Sequence, residues 1–256
     1  MNYAISSTGW FTSINGRTVV RLDLSSLGHT SFALGAPNGL LWHYTASCND
    51  DTSGGIKAKG YLTHAFAVGR DGTIRQYAPL FTAAWHAFDV SKWKIGVEHT
   101  ALPGSCNLTD EQLQASAELF AAIISEIKIQ KGIDVPVVHV PGCDYTTPGI
   151  KEHKDGVGCP WDPNTHTDGL YGWGWPRYLA AITTAIEDKE DAMFKEFEQG
   201  SRDRQDGKAL PQGASDAYRF GWYMETRIIR AAKSPTPTTP TEVPEHKHVA
   251  GGVDRV

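Results

Sequence analysis

The sequence predicts a mixed α/β fold. Three features carry that prediction: short apolar runs that end on polar side chains, an Asp-Gly turn joining two of them, and one long capped helix among them. Gly39-Leu40-Leu41-Trp42-His43-Tyr44 reads as a buried strand that delivers a histidine near its end. Residues 64–68 and 73–77 flank Gly69-Arg70-Asp71-Gly72, where Asp-Gly supplies the positive φ of a hairpin turn. Lys94-Ile95-Gly96-Val97-Glu98 is another short strand and ends on a carboxylate. Thr109-Asp110-Glu111-Gln112 is a capping box, in which the threonine hydroxyl and the later polar side chain satisfy orphan N–H groups of the first turn. It opens a helix whose apolar stripe is Leu113, Ala117, Phe120, Ile124 and Ile127, with Gly132 as its stop. Residues 135–140 read as a further strand and residues 176–186 as a second helix.

The composition changes near residue 187. Before it, apolar runs alternate with turns; after it comes a charged helical stretch, then a Pro/Thr-rich end without large apolar residues. The expected organisation is a main domain over 1–187, a small helical appendage over 188–233 and a disordered tail over 234–256. In the appendage, Phe194, Phe197, Tyr218, Phe220, Trp222 and Tyr223 precede glycines or follow them closely. They read first as packing of a helical hairpin, and otherwise as a surface for contact with a larger partner.

The 256 residues carry a net charge of -5, which disfavours a nucleic-acid binder, since such proteins present a basic face to phosphates. No run approaches the roughly 20 apolar residues of a membrane span. The first residues show no basic-then-apolar leader, so no signal peptide is expected. Cys48, Cys106, Cys143 and Cys159 are widely spaced with no Cys-x-x-Cys pair, so no disulfide framework is expected, and Cys48, Cys106 and Cys143 read as buried or unpaired thiols.

Of ten histidines, eight lie before residue 170, and several close apolar runs. His43 ends one strand and Glu98 another; His153 follows Gly149-Ile150-Lys151-Glu152, and His166 stands two residues before Asp168. Two imidazoles, one carboxylate and an open position make a common catalytic zinc shell. Such a metal polarises a carbonyl and lowers the pKa of bound water. These groups are far apart in sequence, so the pattern leaves open which of them meet; His139, at the end of Val137-Val138-His139, competes with His153. His29 and His99 read as ordinary structural or surface residues, and His246 and His248 as solvated tail positions.

Several motifs also occur in the order found in one known family. Trp42-His43-Tyr44-Thr45-Ala46 resembles the apolar-His-x-Thr-Ala strand of zinc-dependent N-acetylmuramoyl-L-alanine amidases, the class shared by peptidoglycan-recognition proteins and many phage endolysins. His64 through Ile74 looks like the central hairpin, Ala84-Trp85-His86-Ala87 like the Ala-Trp-His-Ala segment, and Ile95-Gly96-Val97-Glu98 like the Ile-Gly-Ile-Glu strand. Gly149 through His153 resembles the Gly-Ile-x-Gly-His strand. His166-Thr167-Asp168 through Leu179 is similar to the ending of endolysins from phages of actinobacteria. The matches span roughly residues 38–180.

The resemblance implies a Zn2+ ion held by His43, His153 and Asp168. It implies that Glu98 orients or deprotonates the attacking water, that His166 stabilises the oxyanion, and that His64 stands beside the metal. Trp85 and His86 would line a groove for bacterial peptidoglycan, and the reaction would cleave the amide between N-acetylmuramic acid and L-alanine. Asp168-Gly169-Leu170 departs from the family's Asp-Pro-Gly, and Cys159 and Asp162 stand as rival third ligands. The resemblance further implies a monomer that lyses a phage's host, held in the host cytoplasm until a holin releases it to the wall. The alternative is a non-catalytic peptidoglycan-binding protein of the same fold.

Overall fold

A computed structural model of the chain describes residues 1–162, 168–170, 174–222 and 224. Its centre is a mixed eight-stranded sheet in the order β1-β2-β3-β6-β5-β7-β4-β8. The strands are β1 (Tyr3–Ile5), β2 (Phe11–Ile14), β3 (Arg17–Arg21), β4 (Gly39–Tyr44), β5 (Phe66–Val68), β6 (Ile74–Gln76), β7 (Lys94–His99) and β8 (Gly149–Glu152). The helices are α1 (Ser53–Lys59), α2 (Asp110–Lys131) and α3 (Trp175–Gln205). The mixed sheet with flanking helices agrees with the expectation. The N-terminal meander β1-β2-β3 carries too few apolar residues for periodicity to single it out.

The four strands nearest the site pair as β5-β7-β4-β8, all parallel. Side chains alternate across a strand, and the core divides accordingly. Leu40 and Trp42 of β4, Ile95 and Val97 of β7 and Ile150 of β8 join Leu113, Phe120 and Ile124 of α2 in the main cluster. Leu41, Gly96 and Lys151 alternate with them, and so do His43 and Glu98, which therefore face away from α2. Thr109 caps α2 by accepting from Gln112 N–H, and Gly132 ends it in a left-handed conformation, as the pattern predicts. The hairpin is present too: β5 and β6 pair antiparallel, with Gly72 at φ 77°.

Three expectations are corrected. First, residues 135–140 form no strand; only His139 bridges to Ile150, with Val140 N–H donating to Ile150 O and Ile150 N–H to Val138 O. Pro136 and Pro141 remove ladder donors on either side, which leaves an isolated bridge. Second, the helix expected at 176–186 runs on to Gln205, through the compositional change at 187. Third, the cysteines are paired: Cys48 with Cys106 and Cys143 with Cys159, at Cα separations of 5.7 and 5.3 Å. The pairing of β4 with β7 continues beyond both strands, as Thr45 N–H donates to His99 O and Ser47 N–H to Ala101 O, and this brings Cys48 to Cys106.

Those bridges predict a measurable effect. By loop-closure entropy the 16-residue separation of Cys143–Cys159 is worth about 3 kcal/mol and the 58-residue separation of Cys48–Cys106 about 4 kcal/mol. The double variant Cys143→Ala/Cys159→Ala should lower the melting temperature by about 6–12 °C. An unchanged melting curve would contradict this pairing.

The chain divides into two compact units, Met1–Ala192 and Met193–Val256. In the second, the helical residues 216–222 cross the end of α3 at two glycines. A Cβ on Gly200 would come within 2.0 Å of Tyr218 O, and one on Gly221 within 2.0 Å of Phe197 O. Phe197 stacks with Phe194 and packs on Phe220, and those two partner rings are largely exposed. Among the described residues no helix is long and apolar enough to cross a membrane.

Candidate metal centre and groove

Strand register assembles the site. His43 of β4 lies opposite Glu98 of β7, and Trp42 lies opposite Glu152 of β8. His153 follows Glu152 directly, so it stands beside His43, with ring centroids 4.6 Å apart. Asp168 is brought in by its own backbone: Lys154 N–H donates to Asp168 O, and Leu170 N–H donates to the buried Glu152 carboxylate at 2.7 Å. Gly169 sits against Lys154, where a Cβ would lie 2.4 Å from the lysine Cδ. The lysine side chain thus lies across the position where the sequence departs from Asp-Pro-Gly.

Asp168 Oδ2 lies 3.3 Å from His43 Nδ1 and 3.0 Å from His153 Nδ1. These three residues form a group able to hold a metal ion. The tautomers can be traced. His86 Nε2 lies 2.8 Å from Lys94 O, so it carries the hydrogen, and His86 Nδ1 is an acceptor. His43 Nε2, 3.2 Å from that acceptor, must therefore donate, which leaves the His43 Nδ1 lone pair facing Asp168. Burial, then the neighbouring His153, holds His43 well below its usual pKa, so it stays neutral. Burial would raise the Asp168 carboxyl, but the hydrogen bond with His153 and the nearness of His43 outweigh it and keep it far below the usual carboxylate range. A neutral imidazole lone pair thus faces an ionised carboxylate with no hydrogen between them, an arrangement that calls for a cation. The separations suit zinc: ligands about 2.0–2.1 Å from a tetrahedral ion lie roughly 3.3 Å from one another.

The rival third ligands are placed elsewhere. Cys159 is in a disulfide, which leaves it no thiolate to offer. Asp162 is fully buried and approaches the other ring nitrogen of His153, 3.8 Å from Nε2. Trp161 lies parallel to the His153 ring at 6.2 Å. His139 belongs to a second group with Glu152 and Asp155. There Asp155 Oδ2 meets His139 Nε2 at 2.9 Å and accepts Glu152 N–H, while Glu152 accepts Leu170 N–H and pairs with Lys154. That group is a closed hydrogen-bonded knot behind the site.

Glu98 and His64 stand next to the His43–His153–Asp168 group. Burial, then the charge of Asp168, pushes the Glu98 carboxyl up to about 8, and its buried Oε2 has no hydrogen-bond partner among the described residues. A carboxyl in that range takes and returns a proton near neutrality. His64 Nδ1 lies 3.9 Å from Glu98 Oε1, but its two nitrogens meet Thr63 Oγ1 and Thr52 Oγ1, each at 2.9 Å. Burial, then the neighbouring His86, lowers His64 to about 3, so it is neutral in the fold. His99, read as an ordinary residue, stacks on Trp42 and bonds His43 O and Ser116 on the α2 side. His166 lies outside the described residues.

These groups open into a groove of about 1070 Å³, whose walls include Lys59, Tyr61, Trp85 and Phe88. Trp85 is 42% exposed. His86 also lines the groove, yet its contact with His43 makes it a support for that ligand, which the sequence pattern did not reveal. The signal for it is Gly96: a Cβ there would lie 2.5 Å from His86 Cγ, so the imidazole packs flat on a strand that must be bare. Gly96→Ala is expected to displace His86 and weaken metal affinity about 10–100-fold, the usual range for such supporting groups. Zinc titration against a competing chelator measures it, and unaltered affinity would show that His86 does not support His43.

Comparisons with known proteins fit this geometry. Residues 33–165 match the family model described as N-acetylmuramoyl-L-alanine amidase. The match covers His43, His64, His86, Glu98 and His153 and stops short of Asp168. Among solved structures, the Staphylococcus aureus hydrolase AmiA in complex with its ligand aligns with a TM-score of 0.53 at 15% identity, over 68% of this chain and 85% of that one. The endolysin N-acetylmuramoyl-L-alanine amidase LysCS from Clostridium intestinale aligns at 0.46 and 16% identity, over 67% and 98%. A point mutant of Drosophila PGRP-LB in complex with tracheal cytotoxin aligns at 0.40 and 13% identity, over 65% and 93%. At these identities the likeness to AmiA shows the fold. No protein of curated function matches the sequence.

Proposed function

Because the chain belongs to the N-acetylmuramoyl-L-alanine amidase family, we propose that its groove binds bacterial peptidoglycan and that it hydrolyses the amide between N-acetylmuramic acid and L-alanine with zinc held by His43, His153 and Asp168. The observation that carries the reading is the lone pair of neutral His43 facing ionised Asp168, with His153 Nδ1 3.0 Å from the same oxygen. When bound, zinc supplies Lewis acidity to the lactyl carbonyl and to the attacking water.

The residues of the chain do the rest. Glu98, buried beside the metal-binding group, takes a proton from water as its oxygen bonds to the lactyl carbon. As the C–N bond breaks, the same carboxyl returns that proton to the alanine nitrogen, giving a carboxylic acid and an amine, which settle in water as carboxylate and ammonium. His64 stays neutral and keeps the wall beside Glu98 in place through Thr52 and Thr63. His86 holds the His43 tautomer, and Trp85 contacts the substrate. His166 is assigned to the oxyanion on sequence resemblance alone.

A lytic role for a phage rests on the same resemblance. The two disulfides support a working place outside a reducing cytoplasm, because such bridges persist in oxidising surroundings. A chain that accumulates in the host cytoplasm would close them on release to the wall. The segment 188–233 is proposed as a wall-contacting or docking appendage, on the strength of its exposed Phe194 and Phe220. Mass spectrometry of digested walls tests the reaction: stem peptides beginning with free L-alanine are expected, and products cut only within the glycan or within the peptide would refute it.

A further inference from the structure

We infer that Phe88 is a specificity-determining residue of this groove, held in a strained backbone so that its ring grips the apolar C–H face of the substrate's sugar. The inference rests on the proposed substrate.

Phe88 has φ 42°, in the left-handed region that side chains of its size rarely adopt. Only three described residues other than glycine share that region, and two of them, Ala46 and Phe88, line the groove. Such strain persists only where the surroundings over-determine it, and it gathers at functional sites. Here the surroundings are explicit. Ser91 Oγ is buried and accepts from His86 N–H at 3.0 Å and from Ala87 N–H at 2.8 Å, folding the chain back across Phe88. Ala87 and Val90 on either side are buried in one cluster with Leu41 and Trp161. With Ala87 and Val90 drawn inward, the Phe88 ring stays at the rim and is 52% exposed.

A phenyl ring with about half its surface in water offsets little of that strain by burial. Its placement makes sense for an occupant. Trp85 and Tyr61, also exposed, line the same groove, so three aromatic faces serve one cleft. Phe88 has no hydrogen-bonding group, and it suits a ligand surface that is flat and apolar. A pyranose ring presents such a C–H face, whereas a peptide backbone presents polar edges. The same Ser91 hydroxyl also holds the backbone of His86, so one clamp positions both His86 and Phe88.

The test separates strain from binding. Asparagine adopts the left-handed region at lower cost than alanine. Phe88→Asn should therefore raise the melting temperature by about 2–4 °C relative to Phe88→Ala. Binding is titrated in a Glu98→Gln background so that the ligand persists, using a muramyl peptide and the matching free stem peptide. Phe88→Asn is expected to raise the Kd for the muramyl peptide at least fivefold and leave that for the stem peptide unchanged. An unchanged muramyl-peptide Kd, an equal rise for the stem peptide, or an asparagine variant no more stable than the alanine one would each overturn the inference. The proposed reaction fails separately: intact binding by the wild-type protein without release of L-alanine termini removes the hydrolysis and leaves Phe88 as a binding residue.

Discussion

Replacing His43, His153 or Asp168 with alanine is expected to lower kcat/KM by on the order of a thousandfold or more and to drop bound zinc from one ion per chain toward none. The three donors share one oxygen-centred geometry, in which Asp168 Oδ2 is 3.0 and 3.3 Å from the two imidazoles. Removing any one leaves two donors, which hold zinc weakly at neutral pH. The losses should not add, because a site without metal is already inactive; a double variant ought to resemble a single one. Asp168→Asn is the sharpest version. It keeps the shape and removes the charge, so zinc binding should fall while the fold survives. Zinc content by mass spectrometry beside activity on cell walls checks this. Full zinc and full activity in Asp168→Asn would remove Asp168 from the ligand set.

Glu98→Gln should lower kcat by about 10²–10⁴-fold, the usual contribution of a positioned proton carrier, with zinc content and substrate affinity retained. Glutamine matches the volume but cannot take a proton from water. The result distinguishes Glu98 from the metal-binding group: its carboxyl lies on the next strand, opposite His43, and is not one of the three clustered donors. A variant that keeps its kcat would reduce Glu98 to a strand-end residue. One that loses zinc would make it part of the metal shell.

Much of this site is legible in the sequence, because parallel strands in register turn a repeated local pattern into one constellation. Apolar runs ending on His43, Glu98 and His153 signal side chains delivered at one edge of a sheet, and β4, β7 and β8 are adjacent there. The capping box at Thr109 and the glycine stop at Gly132 are equally plain, since both act within one helical turn. What stays hidden depends on contacts between distant segments. The role of His86 follows from a bare Gly96 on the neighbouring strand, and no spacing rule encodes that. The cysteine pairs close loops of 58 and 16 residues, and Cys48 meets Cys106 only because β4 and β7 continue side by side. The two prolines that interrupt residues 135–140 are visible in the sequence. They outweigh an otherwise apolar, β-branched run, which forms one bridge instead of a strand.

If a metal held by His43, His153 and Asp168 makes this groove an amidase, hydrolysis must depend on that metal. The most direct measurement counts new L-alanine amino termini released from purified cell walls by the protein as isolated, after chelation, and after zinc is restored. Release is expected to stop with the chelator and to return with zinc. Release that continues undiminished in metal-free protein would contradict it, and wall binding without release under all three conditions would make the chain a peptidoglycan-binding protein of the same fold.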